Sequence, residues 1–242
     1  MKNIYKKNDN HEKNMPILEH LVELRQRIII ASLIFIAITS ICLIYAKNIA
    51  FILQQPASGI KFLQLAPGEY FFVSIKIALY LGIIISSPFS IYQIMLFIIP
   101  GLTKKETRYI IPTLIASIFL FFIGLIFSYI ILIPAALNFF IHYGADIIEP
   151  IWSFEEYFNF ILLLLFSTGI VFQIPILQVF LGLLNITNWR NMLKYWKYVI
   201  FISTIIGAII TPSTDPITQI FMTLAILILY FSGIIILKIL NK

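Results

Sequence analysis

Glu23 and Glu106 are carboxylates set among basic residues, in HLVELRQR (20–27) and TKKETR (103–108), and Glu19 directly precedes the first of these runs. An ionised carboxylate accepts two parallel hydrogen bonds from a guanidinium, so two such groups converging can hold an arginine pair on another polypeptide. Each carboxylate also has a local occupation. Glu23 and Arg27 stand at helix-pair spacing, and Thr103-x-x-Glu106 reads as a capping box. On local sequence alone these local roles are favoured. Gln173 is the most polar residue in the middle of an apolar run, able to hydrogen-bond a solute or a partner helix. Asp215-Pro216 reads as an N-cap followed by proline at the first helical position, with Gln219 one turn further on.

Other chemistry is poorly supported. The single cysteine, Cys42, excludes a disulfide framework and a CxxC site. His11, His20 and His142 are scattered, and neither HExxH nor GxxxxGK[ST] occurs. No histidine sits mid-span for an intramembrane serine protease, and Asp146 and Asp215 fall at loops or helix ends rather than as an intramembrane pair. The chain reads as a non-enzyme with no metal and no cofactor. Hydrophobic residues make up 60% of it and charged residues 12%, with a mean hydropathy of +0.98. A soluble domain carries about 25% charged residues, so this is an integral membrane protein. Its net charge of +6 then reports topology rather than nucleic acid, and no nucleic-acid partner is expected.

The elements that position these residues lie between the charges. Uncharged runs of 19, 27, 37, 33, 17 and 22 residues separate Arg27–Lys47, Lys76–Lys104, Arg108–Asp146, Glu156–Arg190, Lys197–Asp215 and Asp215–Lys238. About 20 residues cross a bilayer as a helix, which makes six spans, the third followed by a loop entered at Pro134. Residues 17–28 read as an amphipathic lead-in to the first span, and Pro88 and Pro175 are expected to kink the second and fourth. Ser153-x-x-Glu156 reads as a second capping box. The fifth span is short, and the sixth starts polar at Thr218 and Gln219. Residues 1–14 form a polar arm expected to be disordered, and 15–242 a single membrane domain made only of helices and short connections. No cleavable signal peptide is visible. Of the 17 basic residues, 14 fall in the N-terminal arm, the loops near 98–108 and 185–197, and the C-terminal tail, leaving Lys47, Lys61 and Lys76 on the other side. The positive-inside rule places both termini on the cytoplasmic or equivalent side. Two functions stay open on residues alone: a small secondary transporter with a polar mid-membrane solute site, and a scaffold that binds protein. Transporters usually carry ionisable groups near the midplane, and all six cores lack them.

HLVELRQR at 20–27, PFSIYQIMLFIIPGLTKKETR at 88–108, FEEYFNFILLLLFSTGIVFQIPI at 154–176 and ITPSTDPITQ at 210–219 resemble, in order and spacing, the signatures of TatC, the multi-spanning core of the twin-arginine protein translocase. The resemblance runs from residue 16 to about 237. It implies an all-α, cupped bundle of six transmembrane helices with short fifth and sixth helices and both termini cytoplasmic, or stromal in plastids. It implies binding of the twin-arginine signal peptides of folded precursors and recruitment of single-span TatA/TatB-type subunits. Transport is then driven by the proton-motive force without nucleotide hydrolysis, within a complex that holds several copies of the chain. By the same resemblance Glu106, Glu23, Arg25, Glu19, Phe97 and Pro100 form the signal-peptide site. Lys76, Pro56 and the 47–69 loop belong to a far-side cap, and Gln173, Asp215 and Gln219 to a cavity where a partner helix docks. Bacterial members commonly carry a glutamate where this chain has Gln173. A neutral amide cannot titrate, so the resemblance leaves that position a docking role and not a proton-linked one. Richness in Ile, Phe, Lys and Asn, short length and Gln173 point to an organelle-encoded protein of a plastid thylakoid membrane, with a bacterial inner membrane as the alternative.

Overall fold

The computed structural model describes residues 17–98, 104–143, 151–211 and 215–240, with the side chains of 17–19, 104–108 and 110 outside that description. The expected N-terminal arm lies outside the described residues. Five helical segments are long and apolar enough to cross a bilayer, and a sixth is shorter. The first is α1 (Ile17–Ile44), a single helix of 28 residues in which the amphipathic lead-in runs into the span without a break. After a turn at Tyr45, α2 (Ala46–Gln54) and a 3₁₀ turn through Pro56 lie at the far end. The second span is α3 (Glu69–Ile98), which stays helical through Pro88. Proline has no N–H for the carbonyl four residues back; that carbonyl, Ile84 O, accepts from Ser87 Oγ at 2.7 Å.

The third span departs from expectation. α4 (Lys104–Phe127) continues through a π turn at Ser128–Leu132 into α5 (Ile133–Tyr143), so Pro134 enters no loop. The wider turn, closed by Ile133 N–H to Ser128 O, shifts the hydrogen-bonding frame just before Pro134, which has no N–H to donate. The fourth span breaks at Phe172–Gln173 between α6 (Phe154–Val171) and α7 (Ile174–Leu183), in the turn before Pro175 where that proline, in α7's first turn, has no N–H for Val171 O, as expected. Short α8 (Trp189–Lys194) leads into α9 (Trp196–Ile210), whose 15 residues reach about 22 Å, less than the roughly 30 Å hydrocarbon core. α10 (Pro216–Ile239) has 24 residues, so the sixth span is not short as expected, because its polar first turn belongs to the helix.

α6 carries the core. Phe158, Ile161, Leu162 and Leu164 are fully buried among Val73 and Ile77 of α3, Leu132 and Ile133 of the third span, and Met222 of α10. By contrast α1 packs chiefly on α3, so the bundle is open along α1. The two helices approach closely at Gly82, where an added Cβ would overlap Thr39. Most exposed residues along the spans are Ile, Leu and Phe, as a lipid-facing surface requires.

The far end has structure that the helix-and-loop reading missed. β1 (Lys61–Leu63) pairs in parallel with β2 (Ile151–Ser153), setting Phe62 opposite Trp152. Buried Glu69 accepts from the N–H groups of Leu65 (2.6 Å), Ala66 (3.1 Å) and Glu155 (2.8 Å), so one carboxylate joins the 64–69 turn to the start of α6. Lys76 Nζ reaches Glu155 at 2.5 Å and Asn159 at 3.0 Å. Tyr129 and Tyr157 hydroxyls donate to the α2 carbonyls of Ile52 and Leu53. The 47–69 loop and Lys76 therefore build one tied cap.

Sidedness has a direct test. Single cysteines at Asn10, Ser58, Lys105, Asp146, Asn188 and Lys242, with Cys42 replaced, are expected to label alternately. Positions 10, 105, 188 and 242 should react only from the cytoplasmic or stromal side. Labelling of position 242 from the opposite face would overturn the six-span topology.

Candidate functional site

At the end of the bundle away from the cap, α1 and α3 bring four polar groups together. Glu23 Oε1 accepts from Arg27 Nη2 at 2.9 Å, and Arg27 Nη1 donates to Gln93 Oε1 at 3.1 Å. The i,i+4 pair seen in the sequence is real, and Gln93 anchors it to the second span. The other carboxylate oxygen, Glu23 Oε2, is shielded from solvent and accepts no hydrogen bond among the described residues. His20 Nδ1 stands 3.8 Å from it, and the His20 ring stacks on Phe97 with centroids 4.2 Å apart and planes 11° from parallel. Phe97 thus meets the Glu23 cluster through His20. Arg25 is exposed on α1. Glu19 lies in α1 and Glu106 in the first turn of α4, but their side chains, with Pro100 and the Thr103 cap, fall outside the described residues.

The arrangement suits recognition of cations. A shielded carboxylate oxygen without a donor costs about 1–3 kcal/mol, which an incoming N–H group recovers. Gln93 and His20 were not singled out from sequence. The only signal for Gln93 was a polar residue within an apolar run, and His20 lies one turn from Glu23. No group of three or more His, Cys, Asp or Glu that could hold a metal occurs among the described residues.

The residues expected to dock a partner helix are occupied within the chain. Gln173 makes a reciprocal pair with Ser117 of α4: Ser117 Oγ donates to its Oε1 at 2.5 Å, and its Nε2 donates to Ser117 O at 3.1 Å. Asp215, buried, caps α10 by accepting from Thr218 N–H at 2.9 Å. Gln219 Nε2 donates to Thr204 O of α9 at 3.3 Å. Gln173 therefore ties the third span to the fourth, while Asp215 and Gln219 act at the α9–α10 end of the molecule. Ser153 likewise caps α6, accepting from Glu156 N–H at 3.4 Å.

The family model described as "TatC: Sec-independent protein translocase protein (TatC)" matches residues 19–224. The chain belongs to the TatC family. It is 69% identical over 236 residues to the tatC-like protein ycf43 of Gracilaria tenuistipitata var. liui, covering 98% of this chain and 99% of that one. It is 44% identical over 224 residues to the chloroplastic Sec-independent protein translocase protein TATC of Pisum sativum, covering 92% of this chain and 64% of the pea protein. The crystal structure of a twin arginine translocase receptor, TatC, superposes with a TM-score of 0.78 at 35% identity, covering 92% of this chain and all of the other. Helix content, span number and the TatC match agree with the resemblance read from the four motifs. The protein is thus a multi-pass membrane component of Sec-independent protein translocation.

Proposed function

We propose that this TatC-family chain binds twin-arginine signal peptides of folded precursors at the α1–α3 end, with Glu23 and Glu106 as the carboxylates that receive the arginines. The observation that carries the reading is the division of labour at Glu23. Arg27, itself held by Gln93, donates to one oxygen of the carboxylate, and the other accepts no hydrogen bond from a described residue. A signal-peptide guanidinium takes the position beside Oε2 that His20 now holds, and the Phe97 ring packs against the aliphatic stem. Glu106 enters the same end of the molecule at the start of α4. Arg25, Glu19 and Pro100 complete that surface. Single-span TatA/TatB-type subunits and further copies of this chain assemble on the bundle, with Gln173 at the α4–α7 junction and Asp215 and Gln219 at the start of α10 as docking contacts, and the proton-motive force drives transport. The pea relative's chloroplastic name and the Ile-, Phe-, Lys- and Asn-rich composition favour a plastid thylakoid membrane.

The test is crosslinking in native membranes. A photoreactive residue at Phe97 or Arg25 is expected to yield adducts with a twin-arginine precursor and only background with its twin-lysine variant. Absence of twin-arginine adducts from both positions would overturn the reading.

A further inference from the structure

The α8–α9 turn and the C-terminal part of α10 form a second polar assembly, distant in sequence from the Glu23 cluster and unused by signal-peptide recognition. Trp189, Arg190, Leu193, Lys194, Trp196 and Phe231, most of them exposed, line an open surface cavity of about 650 Å³. Two of the lining residues, Arg190 and Lys194, are cationic and the other four are aromatic or aliphatic. The Trp189 ring has two cations on it, Arg190 Cζ at 5.4 Å and Lys238 Nζ at 5.6 Å from its centroid, and Lys197 Nζ stands 6.0 Å from that of Trp196. None of these four cations, Lys194 included, makes an ion pair with a described carboxylate. The sequence explains why: between Glu156 and the C-terminus the only acid is Asp215, at the opposite end of α10.

The site is built rather than floppy. Tyr230 of α10 donates to Met192 O of α8 at 2.7 Å, and Met192, Ile234 and Leu237 form a small buried core under Trp189. The short helix is thereby pinned to α10, and its Arg190 lies over the same indole as Lys238 of α10. Like charges held together repel one another, so the arrangement is relieved by an anion that bridges them. Tryptophan and tyrosine at a span end mark the headgroup level of a bilayer, and basic pockets between spans on the positive side accept anionic headgroups. Phe231 lies two helical turns from Lys238 toward the membrane interior, about 10 Å, and continues the cavity as an apolar track.

We propose that this cavity is a binding site for one anionic glycerolipid, its phosphate or other acidic headgroup held by Arg190, Lys194 and Lys238 and an acyl chain laid along Leu193, Trp196 and Phe231. A free anion fills the charged end only, and the mostly apolar lining favours the lipid. The occupied site would fasten the short α9 to the full-length α10 at the membrane surface.

Native mass spectrometry of the detergent-purified full chain tests this with phosphatidylglycerol and phosphatidylcholine as probes. The parent is expected to retain phosphatidylglycerol selectively. Each cation near the surface contributes about fivefold in affinity, so Arg190→Ala/Lys194→Ala should cut that preference roughly 25-fold. The single Lys194→Gln, at an exposed position that packing does not depend on, should cut it about fivefold and keeps the test valid if the double variant misfolds. Lys47→Ala/Lys61→Ala, equal in charge removed but at the other end, should leave the preference unchanged. Millimolar inorganic phosphate should not displace the lipid. Equal retention of phosphatidylcholine, an undiminished preference in Lys194→Gln, or displacement by phosphate alone would each overturn the proposal.

Discussion

Replacing Glu106 with glutamine is expected to weaken twin-arginine precursor binding roughly five- to thirtyfold while leaving protein abundance near that of the parent. Glutamine at the third helical position still reaches back to the cap N–H, so the start of α4 survives. What it loses is the charge. A hydrogen bond to a charged group is worth about 1.5–3 kcal/mol against about 1 for a neutral one, and a loss of ~1–2 kcal/mol gives that factor. Glu23→Gln should cost a similar amount, because the amide oxygen can keep the bond from Arg27 while the second oxygen becomes an NH₂ group that cannot accept. The double variant then separates two geometries. If each carboxylate holds its own arginine, the losses add to about a hundredfold; if both grip one arginine, the second loss is small. A twin-lysine precursor should gain little from either carboxylate, since an ammonium lacks the planar fork. Affinity or crosslinking in membranes holding equal amounts of each variant measures this. Undiminished binding by Glu106→Gln would make Glu106 a helix cap and move the recognition site elsewhere.

The sequence disclosed the spans because charges cannot be left in hydrocarbon, so Arg27, Lys76, Arg108, Glu156, Lys197 and Asp215 mark where helices leave it. Caps were legible for the same local reason, and Ser153 and Asp215 both cap the helices they precede. Partnerships between helices were not. Gln93 with Arg27, Ser117 with Gln173 and Glu69 with the Glu155 amide join residues 56 to 86 positions apart, and no periodicity announces them. Three-residue strands are too short for an alternating pattern to register, which hid β1 and β2. Pro134 was misread because proline usually ends a helix; the π turn that absorbs it has no signature of its own. At the candidate site the Glu23–Arg27 pair could be read off its spacing, but the second oxygen, which accepts no bond from a described residue, depends on the fold.

Gln173→Leu is expected to lower the thermal stability of the chain and to reduce recovery of single-span partners with it. The two effects need separating, because Gln173 is already engaged with Ser117. Leucine removes both bonds and leaves the buried Ser117 hydroxyl to find another acceptor, at a cost of about 1–3 kcal/mol. Ser117→Ala removes only the hydroxyl half and frees Gln173 Oε1 to face a partner. If the amide docks a partner helix, Ser117→Ala should melt earlier than the parent yet keep its partners, while Gln173→Leu loses both properties. Partner recovery in Gln173→Leu equal to the parent's would show that the amide serves only the α4–α7 junction. Gln173→Glu adds a charge dependence. A protonated carboxyl copies the amide, its O–H donating to Ser117 O and its C=O accepting from Ser117 Oγ. A carboxylate has no proton for Ser117 O and sets two oxygens against each other in a low-dielectric site. Measured as a difference from the parent, the variant should therefore match it at low pH and lose stability as pH rises. Cys42 supplies the readout: it is the only thiol and is 4% exposed, so a thiol-reactive fluorophore reports its release on unfolding. A pH-independent melting point for Gln173→Glu would mean that the Ser117 pair does not govern this position.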